Sequence, residues 1–457
     1  MKPITGTACG SRKYAEHFLN SLSDYEKTTG YSYSAAYYNL KRMAYLLLLL
    51  GNPQFKVPSL HIAGTKGKGS TANYIAAIMQ ASGLKTGLYT SPHILTFRER
   101  IRLNGKMISW KELAALIKKI EPAVKRLNKE TKYGLPTFFE VYTALGFLYF
   151  AEKKAGVMVL EAGMGGRLDA TNVVRPLVSV FTNISLDHVK ELGNTPAKIA
   201  KEKAGIIKPG IPVISAPQQK NVLRVLRSAA KKAGSKFLQE GRAFRYTLIS
   251  LTAKGSSFSF KSPGLALKEL KIKMPGKHQV LNASTALAAS ELAAVKLGLT
   301  PAQLKRVIPK ALLEFTLPGR IQVIARKPYL LLDAAHNAAS AKALLLALKH
   351  FRYDRLLLVI GMSDNKDARG FMRVFEREAA LAAFVRSSNP RSAGPQGLAE
   401  ASAVLAKKSR AFENVTEGLK YALMRAGKKD LVCVTGSFYV LHDAVKFLKE
   451  NGVKCGL

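Results

Sequence analysis

The stretch "HIAGTKGKGSTANY" (residues 61–74) sets Gly64, Thr65, Gly67 and Gly69 around two lysines, Lys66 and Lys68, and then meets the hydroxyls of Ser70 and Thr71. A loop of this composition turns backbone N–H groups toward an anion. A helix opening directly behind it points its positive end at the same place. Lys68 adds a point charge suited to terminal phosphates, and Ser70 and Thr71 add hydroxyls at the helix start. The spacing departs twice from G-x-x-x-x-G-K-[ST]: Ile62 stands where the first glycine falls, and Gly69 separates Lys68 from Ser70. A strand-like "VPSLHIAG" before the loop and a helix-like "STANYIAAIMQASG" after it supply the context a phosphate site needs. A glycine turn that binds nothing is the alternative, and that context weighs against it.

Other polar residues close apolar runs. Glu161 ends "GVMVLEAG", Asp187 and His188 follow "PLVSVFTNI", Ser91 and His93 follow "KTGLYT", and Asp333 to Asn337 ("DAAHN") end a run in the second domain. Open parallel sheets bind ligands at the carboxyl ends of their strands, and a carboxylate there is a natural Mg²⁺ ligand. Taken singly, each is equally a solvated strand end or a structural side chain. The Ser91-Pro92 step suits a cis bond in a tight turn. Arg98, Arg100 and Arg102 alternate like one basic strand face, facing either an acid or water. Lys201 and Lys203 in "IAKEKAGI" read as surface lysines from spacing alone.

These residues need a frame. Residues 1 to about 55 read as helical. Apolar strand runs then alternate with helical stretches, which predicts a parallel sheet covered on both faces. Residues 244–274 alternate differently, with turn signals at Lys254-Gly255 and Pro263-Gly264, and read as antiparallel strands. "HQVLNASTALAASELAAVKLG" is a strong helix, and "TLPGR" (residues 316–320) is a plausible joint. Four buried strands follow: "YLLLDAAHN", "RLLLVIGM", "LAAFVRS" and "DLVCVTGS". The expected architecture is α/β, with a phosphate-loop ATPase domain over 1–315 and a smaller Rossmann-like domain over 316–457.

Lysine and arginine number 71 against 30 acids, a formal net charge of +41. The lysines are spread through the chain with no dense tract or aromatic stripe, so nucleic acid is not expected as the main partner. The same field attracts small polyanions. Three scattered cysteines argue against a disulfide framework. The leucine run at residues 46–50 is too short to span a bilayer, and no secretory apolar stretch opens the sequence. A cytoplasmic, membrane-free monomer is expected.

In order, "HIAGTKGKGS", "TSPHI…RERI…NG", "PTFFE", "LEAGMGGRLDATN", "ISLDH…LG", "IAKEKAGI", "PGKHQVLNA", "LPGR", "DAAHN" and "TGSFYVLHDA" resemble folylpolyglutamate synthase/dihydrofolate synthase, the folate branch of the Mur-type ligases. The Mur-type loop G-T-x-G-K-[GST]-[ST] accounts for both departures in the opening segment. The resemblance implies a Mur-type ATP-binding domain and ATP-dependent addition of L-glutamate to dihydropteroate, to folate, or to both. It implies that Gly64, Thr65, Gly67, Lys68, Gly69, Ser70, Asn282, Arg320, Asp333 and His336 hold ATP. Ser91, Glu161, His188 and Lys203 match metal positions for two Mg²⁺, and a monovalent cation is a further implied cofactor. Lys203 matches a lysine carbamylated in many members. Lys68, Glu161, His188 and Lys203 are then the catalytic set. Thr137, Phe139 and Asp169 match contacts of the pterin-bearing substrate, and Ser437 a contact of the incoming glutamate. Ala334 stands where the family has glycine in its D-G-A-H-N motif, and Asn39 where it has glycine in "LGLxR". The rivals are a Mur-type peptide ligase acting on a UDP-sugar, a nucleic-acid-stimulated ATPase and a non-catalytic nucleotide-binding module.

Overall fold

The computed structural model describes residues 8–24, 38–129 and 134–456. The apolar runs become strands because each is short, bounded by turn residues and buried on both faces. The N-terminal domain has β1 (Ser59–Ala63), β2 (Thr86–Tyr89), β3 (Ile101–Leu103), β4 (Lys106–Met107), β5 (Val157–Glu161), β6 (Val178–Phe181), β7 (Val213–Ser215) and β8 (Phe237–Gln239), of which β3, β4 and β8 are part-exposed or exposed and the other five buried throughout. They pair in the order β4-β3-β2-β5-β1-β6-β7-β8. From β2 to β8 every neighbour is parallel, and only β3 and β4 add an antiparallel edge. Helices Lys68–Ala81 and Lys277–Lys296 cover one face; Trp110–Lys129 and Phe138–Glu152 are among those covering the other. The chain leaving β1 builds one side of the sheet, and the chain leaving β5 crosses to β6 on the other. The crevice at such a switch point is where ligands bind in this class of sheet.

Residues 244–274 form the expected antiparallel meander, β9 (Arg245–Thr252), β10 (Gly255–Lys261) and β11 (Ala266–Ile272). Its apolar face joins the core built on Lys277–Lys296. The C-terminal sheet has six strands: β12 (Gln322–Arg326), β13 (Tyr329–Leu332), β14 (Leu356–Ile360), β15 (Ala379–Val385), β16 (Ser409–Phe412) and β17 (Leu431–Thr435), in the order β12-β13-β17-β14-β15-β16. The four expected strands are its centre. β12 and β16 are part-exposed edges, so they carry no continuous apolar run to announce them.

Several local readings change. Arg98 and Arg100 lie in a 3₁₀ turn, Phe97–Arg100, held by a Thr96–Glu99 capping box, so no basic strand face forms. Arg100 is buried, donating to His93 Nδ1 at 2.9 Å and packing over Phe138. Arg98 donates to the Ile108 carbonyl, and Arg102 to that of Glu99. The Ser91-Pro92 bond is cis. The helix behind the glycine loop starts at Lys68, two residues before the expected Ser70. Of the N-terminal helical reading, Ala8–Asn20 and Leu40–Leu49 are helices, while 1–7 and 25–37 lie outside the described residues. Asn39 caps the second, accepting from the N–H groups of Lys41 and Arg42.

Arg42 on that helix forks onto Glu140, Nε and Nη2 each 2.9 Å from a carboxylate oxygen, and both side chains are buried. Glu140 also accepts the N–H and hydroxyl of Thr137. Removing one partner strands the other charge. Arg42→Ala should cost about 3–5 kcal/mol of stability in urea unfolding. Burial already pushes the Glu140 carboxyl up, opposed by Arg42. Without Arg42 it protonates readily, so the loss should be larger at pH 8 than at pH 5. An Arg42→Met/Glu140→Leu pair should recover most of it.

Candidate active site

The carboxyl edges of the two large sheets face each other across one cavity of about 560 Å³. The site residues that the family resemblance implies all line it: the glycine loop, Ser91, Thr137, Phe139, Glu161, Asp169, His188, Lys203, Asn282, Arg320, Asp333, His336 and Ser437. Thr71 and His93, also candidates from the sequence, do not, Thr71 being buried in its helix and His93 taken by Arg100.

The loop is clipped to the segment after β6. Thr65 N–H donates to the Asn183 carbonyl at 2.8 Å, and the Thr65 hydroxyl donates to that of Ser185. Gly67 has φ +89, and a Cβ there would run into the Asn282 amide. At Gly69 a Cβ would lie 3.3 Å from Glu161 Oε2. The loop is therefore pressed between Asn282 and Glu161, and the unpaired N–H groups of the Lys68–Ala81 helix open into the cavity.

Glu161 ends β5 buried, not solvated, and accepts the Ser91 N–H at 3.1 Å. Burial pushes its carboxyl up, while Lys68 and Arg320 pull it down. Lys203 is 5% exposed, which corrects its reading as a surface lysine; Lys201 is exposed. Burial, then repulsion from Lys68, pushes the Lys203 ammonium down to about 7. No acid lies within ion-pair distance of it among the described residues. His188 sits in the left-handed region at φ +49, and burial keeps its ring neutral.

Asp187 bridges the domains. It accepts from Lys66 Nζ at 2.9 Å and from Lys366 Nζ, of the C-terminal domain, at 2.6 Å. Burial alone would raise its carboxyl; Lys66 and Lys366 outweigh that and hold it well below the usual range. Lys66 also donates to His336 Nε2 at 2.7 Å, so the neutral ring carries its hydrogen on Nδ1, toward the Ala334 carbonyl. Ala334 is buried without a left-handed backbone, which is why alanine is tolerated there. Arg320 lies over the Phe438 ring at 4.9 Å. Asp333 accepts the N–H groups of Ile321 and Ala335. Ser437 caps the helix Phe438–Glu450.

At the far wall, Thr137 caps its helix and the Phe139 ring presses on Gly163. Asp169 is buried and accepts from Met164 N–H and Thr171 N–H. Lys366 was missed in the sequence; its signal was the polar run closing "RLLLVIGM". Asp187 reads from the sequence as a strand-end carboxylate and Lys66 as a loop lysine; neither reading foretells their pairing.

Among the described residues no three His, Cys, Asp or Glu gather as a metal cage. A Mg²⁺ held mainly by phosphate oxygens and water needs only one or two protein donors. Glu161, buried with a single hydrogen bond, fits that demand. Lys203 as an amine does not.

A glycine phosphate loop on one parallel sheet, roofed by the edge of a second, defines a Mur-type ligase. Residues 62–290 match the Mur ligase middle domain, and residues 319–438 the Mur ligase, glutamate ligase domain. The dihydrofolate synthase/folylpolyglutamate synthase of Bacillus subtilis (strain 168) is 36% identical over 416 residues, spanning 90% of this chain and 95% of its own. The Mycobacterium tuberculosis folylpolyglutamate synthase complexed with ADP superposes with a TM-score of 0.88 at 31% identity, covering 97% of this chain and 99% of that one. Escherichia coli FolC in complex with DHPP and ADP gives 0.83 at 27% identity, over 99% and 100%. The chain belongs to the dihydrofolate synthase/folylpolyglutamate synthase family. It is an ATP-dependent ligase that adds glutamate to a pteroate or folate acid. No described helix is long and apolar enough to cross a membrane.

Burial pushes Lys203 down to about 7 in the folded chain, against about 10.4 for a lysine in an unfolded one. Between those values the unfolded state binds the extra proton, so this group's cost is full below pH 7 and fades toward pH 10. In bicarbonate-free buffer Lys203→Met should therefore raise the Tm clearly at pH 6.5 and hardly at pH 9.5.

Proposed function

We propose that the enzyme is bifunctional, adding the first glutamate to dihydropteroate and γ-linked glutamates to folate. The observation that carries this is the continuous cavity joining the glycine loop to the Thr137–Phe139–Asp169 wall. A pterin-bearing acid of either kind would seat against that wall with its carboxylate toward the γ-phosphate.

In this reading Gly64, Thr65, Gly67, Lys68, Gly69 and Ser70 cradle the phosphates. Asn282, Arg320, Asp333 and His336 close on ATP from the other side, with the domains dividing at residue 316. Ser91, Glu161, His188 and Lys203 serve two Mg²⁺, and a monovalent cation is a further cofactor. Magnesium, when bound, offsets charge on the phosphoryl oxygens. The substrate carboxylate attacks the γ-phosphorus, giving an acyl phosphate and ADP. The neutral α-amine of glutamate, held near Ser437, attacks the acyl carbon and phosphate leaves. Most of the catalysis is positioning and charge neutralisation. The enzyme works as a monomer in the cytoplasm.

Lys203 acts as a carbamate. Its burial keeps a large neutral fraction at pH 7, the form that adds CO₂, and the product is an anion able to face a cation. Lys203→Ala should lose most turnover, and a short acid such as acetate should restore part of it. Failure of every small acid to rescue would argue against the carbamate.

Purified protein with ATP, Mg²⁺ and labelled glutamate should label both dihydropteroate and tetrahydrofolate when each is offered alone. Label on tetrahydrofolate only would make it a monofunctional folylpolyglutamate synthase. Label on neither would remove the reading.

A further inference from the structure

β1 lies at the centre of the N-terminal sheet and runs into the glycine loop. His61, at its middle, is wholly buried. Leu60 and Ile62 join the core under the helix Lys68–Ala81, and His61 points to the opposite face. There its Nε2 lies 2.7 Å from the Thr171 hydroxyl. Thr171, also fully buried, donates that hydroxyl and its N–H to one oxygen of Asp169. The other oxygen accepts the Met164 N–H at 2.9 Å. One unbroken chain thus runs from the strand carrying the phosphate loop to the turn that walls the far end of the cavity.

The proton positions follow by counting. A threonine hydroxyl has one hydrogen, and Thr171 gives it to Asp169. It therefore accepts from His61, whose hydrogen sits on Nε2. His61 Nδ1 is left a bare acceptor, buried and without a partner among the described residues. The other tautomer would bury an N–H without an acceptor, the rarer kind of orphan. A cationic ring would add that orphan and face Lys208 as well. Burial and Lys208 push the ring's pKa down to about 3, so it stays neutral.

We infer that His61 is a positioning residue: acting through Thr171, it fixes Asp169 and the Met164 backbone in the cavity wall, and so sets where the acceptor carboxylate lies relative to the γ-phosphate. It touches no substrate. The inference rests on the proposed seating of the pterin-bearing acid beside Asp169. Any buried histidine takes a hydrogen-bond partner; this one's partner holds a carboxylate that lines the cavity.

Three variants separate these cases. His61→Leu keeps bulk and removes the donor, His61→Gln keeps an N–H donor of similar reach, and Thr171→Val removes the relay hydroxyl. His61→Leu and Thr171→Val should each raise KM for dihydropteroate about tenfold while KM for ATP moves less than about twofold. His61→Gln should recover most of the loss. The double variant should be no worse than either single one, as for residues acting in one chain. Thr171→Val carries the test if His61→Leu fails to fold. Equal rises in both KM values, additive losses, or no recovery with glutamine would overturn the inference. Independently of turnover, the ¹⁵N shifts of His61, assigned by their loss in His61→Gln, should report an Nε2–H ring that does not titrate between about pH 5.5 and 8.5. An Nδ1–H ring or a titrating one would overturn it too. A wild-type protein with the expected ring but no ligation of dihydropteroate would instead sink the bifunctional reading.

Discussion

Two lysines from different domains meet on one carboxylate. Asp187 takes Lys66, from the glycine loop, and Lys366, from the loop after β14. All three are largely buried, so the pair cannot be opened without stranding charge. This contact holds the carboxyl edges of the two sheets face to face. A second contact supports it: Ile94, in the loop that begins at Ser91, sits in the C-terminal core, and its carbonyl meets His442 Nδ1 at 2.7 Å. With the edges so held, Arg320 and Asp333 look onto a phosphate loop that belongs to another domain.

The cleft closed in this way gathers Lys66, Lys68, Lys203, Arg320 and Lys366 beside Glu161, Asp169, Asp187 and Asp333. Asp187 uses up two of the lysines. Among the groups that remain are Glu161 and Lys203, one carboxylate pushed up by burial and one ammonium pushed down by it. In each, burial disfavours the charged form. That arrangement suits a site completed by a polyanion and its cations, which is what transfer of a phosphoryl group to a carboxylate requires. The net charge of +41 over the chain adds a long-range pull on ATP and on anionic acceptors.

Much of this was legible in the sequence because strand ends are. Glu161, His188 and Asp333 each close an apolar run, and a parallel sheet brings all such ends to one edge. The order of motifs then gave the family, which the glycine loop alone did not. What stayed hidden was tertiary. Lys203 looks like a surface residue because its helix is amphipathic only by virtue of what packs on it. Arg98, Arg100 and Arg102 looked like a strand face because alternation cannot reveal that the Thr96–Glu99 box winds Phe97–Arg100 into a turn. β12 and β16 were invisible as half-exposed edges. His61 read as one more residue of a buried strand, since its partner Thr171 lies 110 positions away.

The central claim is that this closed cleft brings an acceptor carboxylate onto the γ-phosphate of ATP. Dihydropteroate carrying ¹⁸O in both carboxylate oxygens tests it directly, with the released phosphate read by mass spectrometry. Transfer through an acyl phosphate predicts one ¹⁸O in every phosphate formed alongside amide. Phosphate free of the label would mean that the acid is never phosphorylated here, and the account would fail.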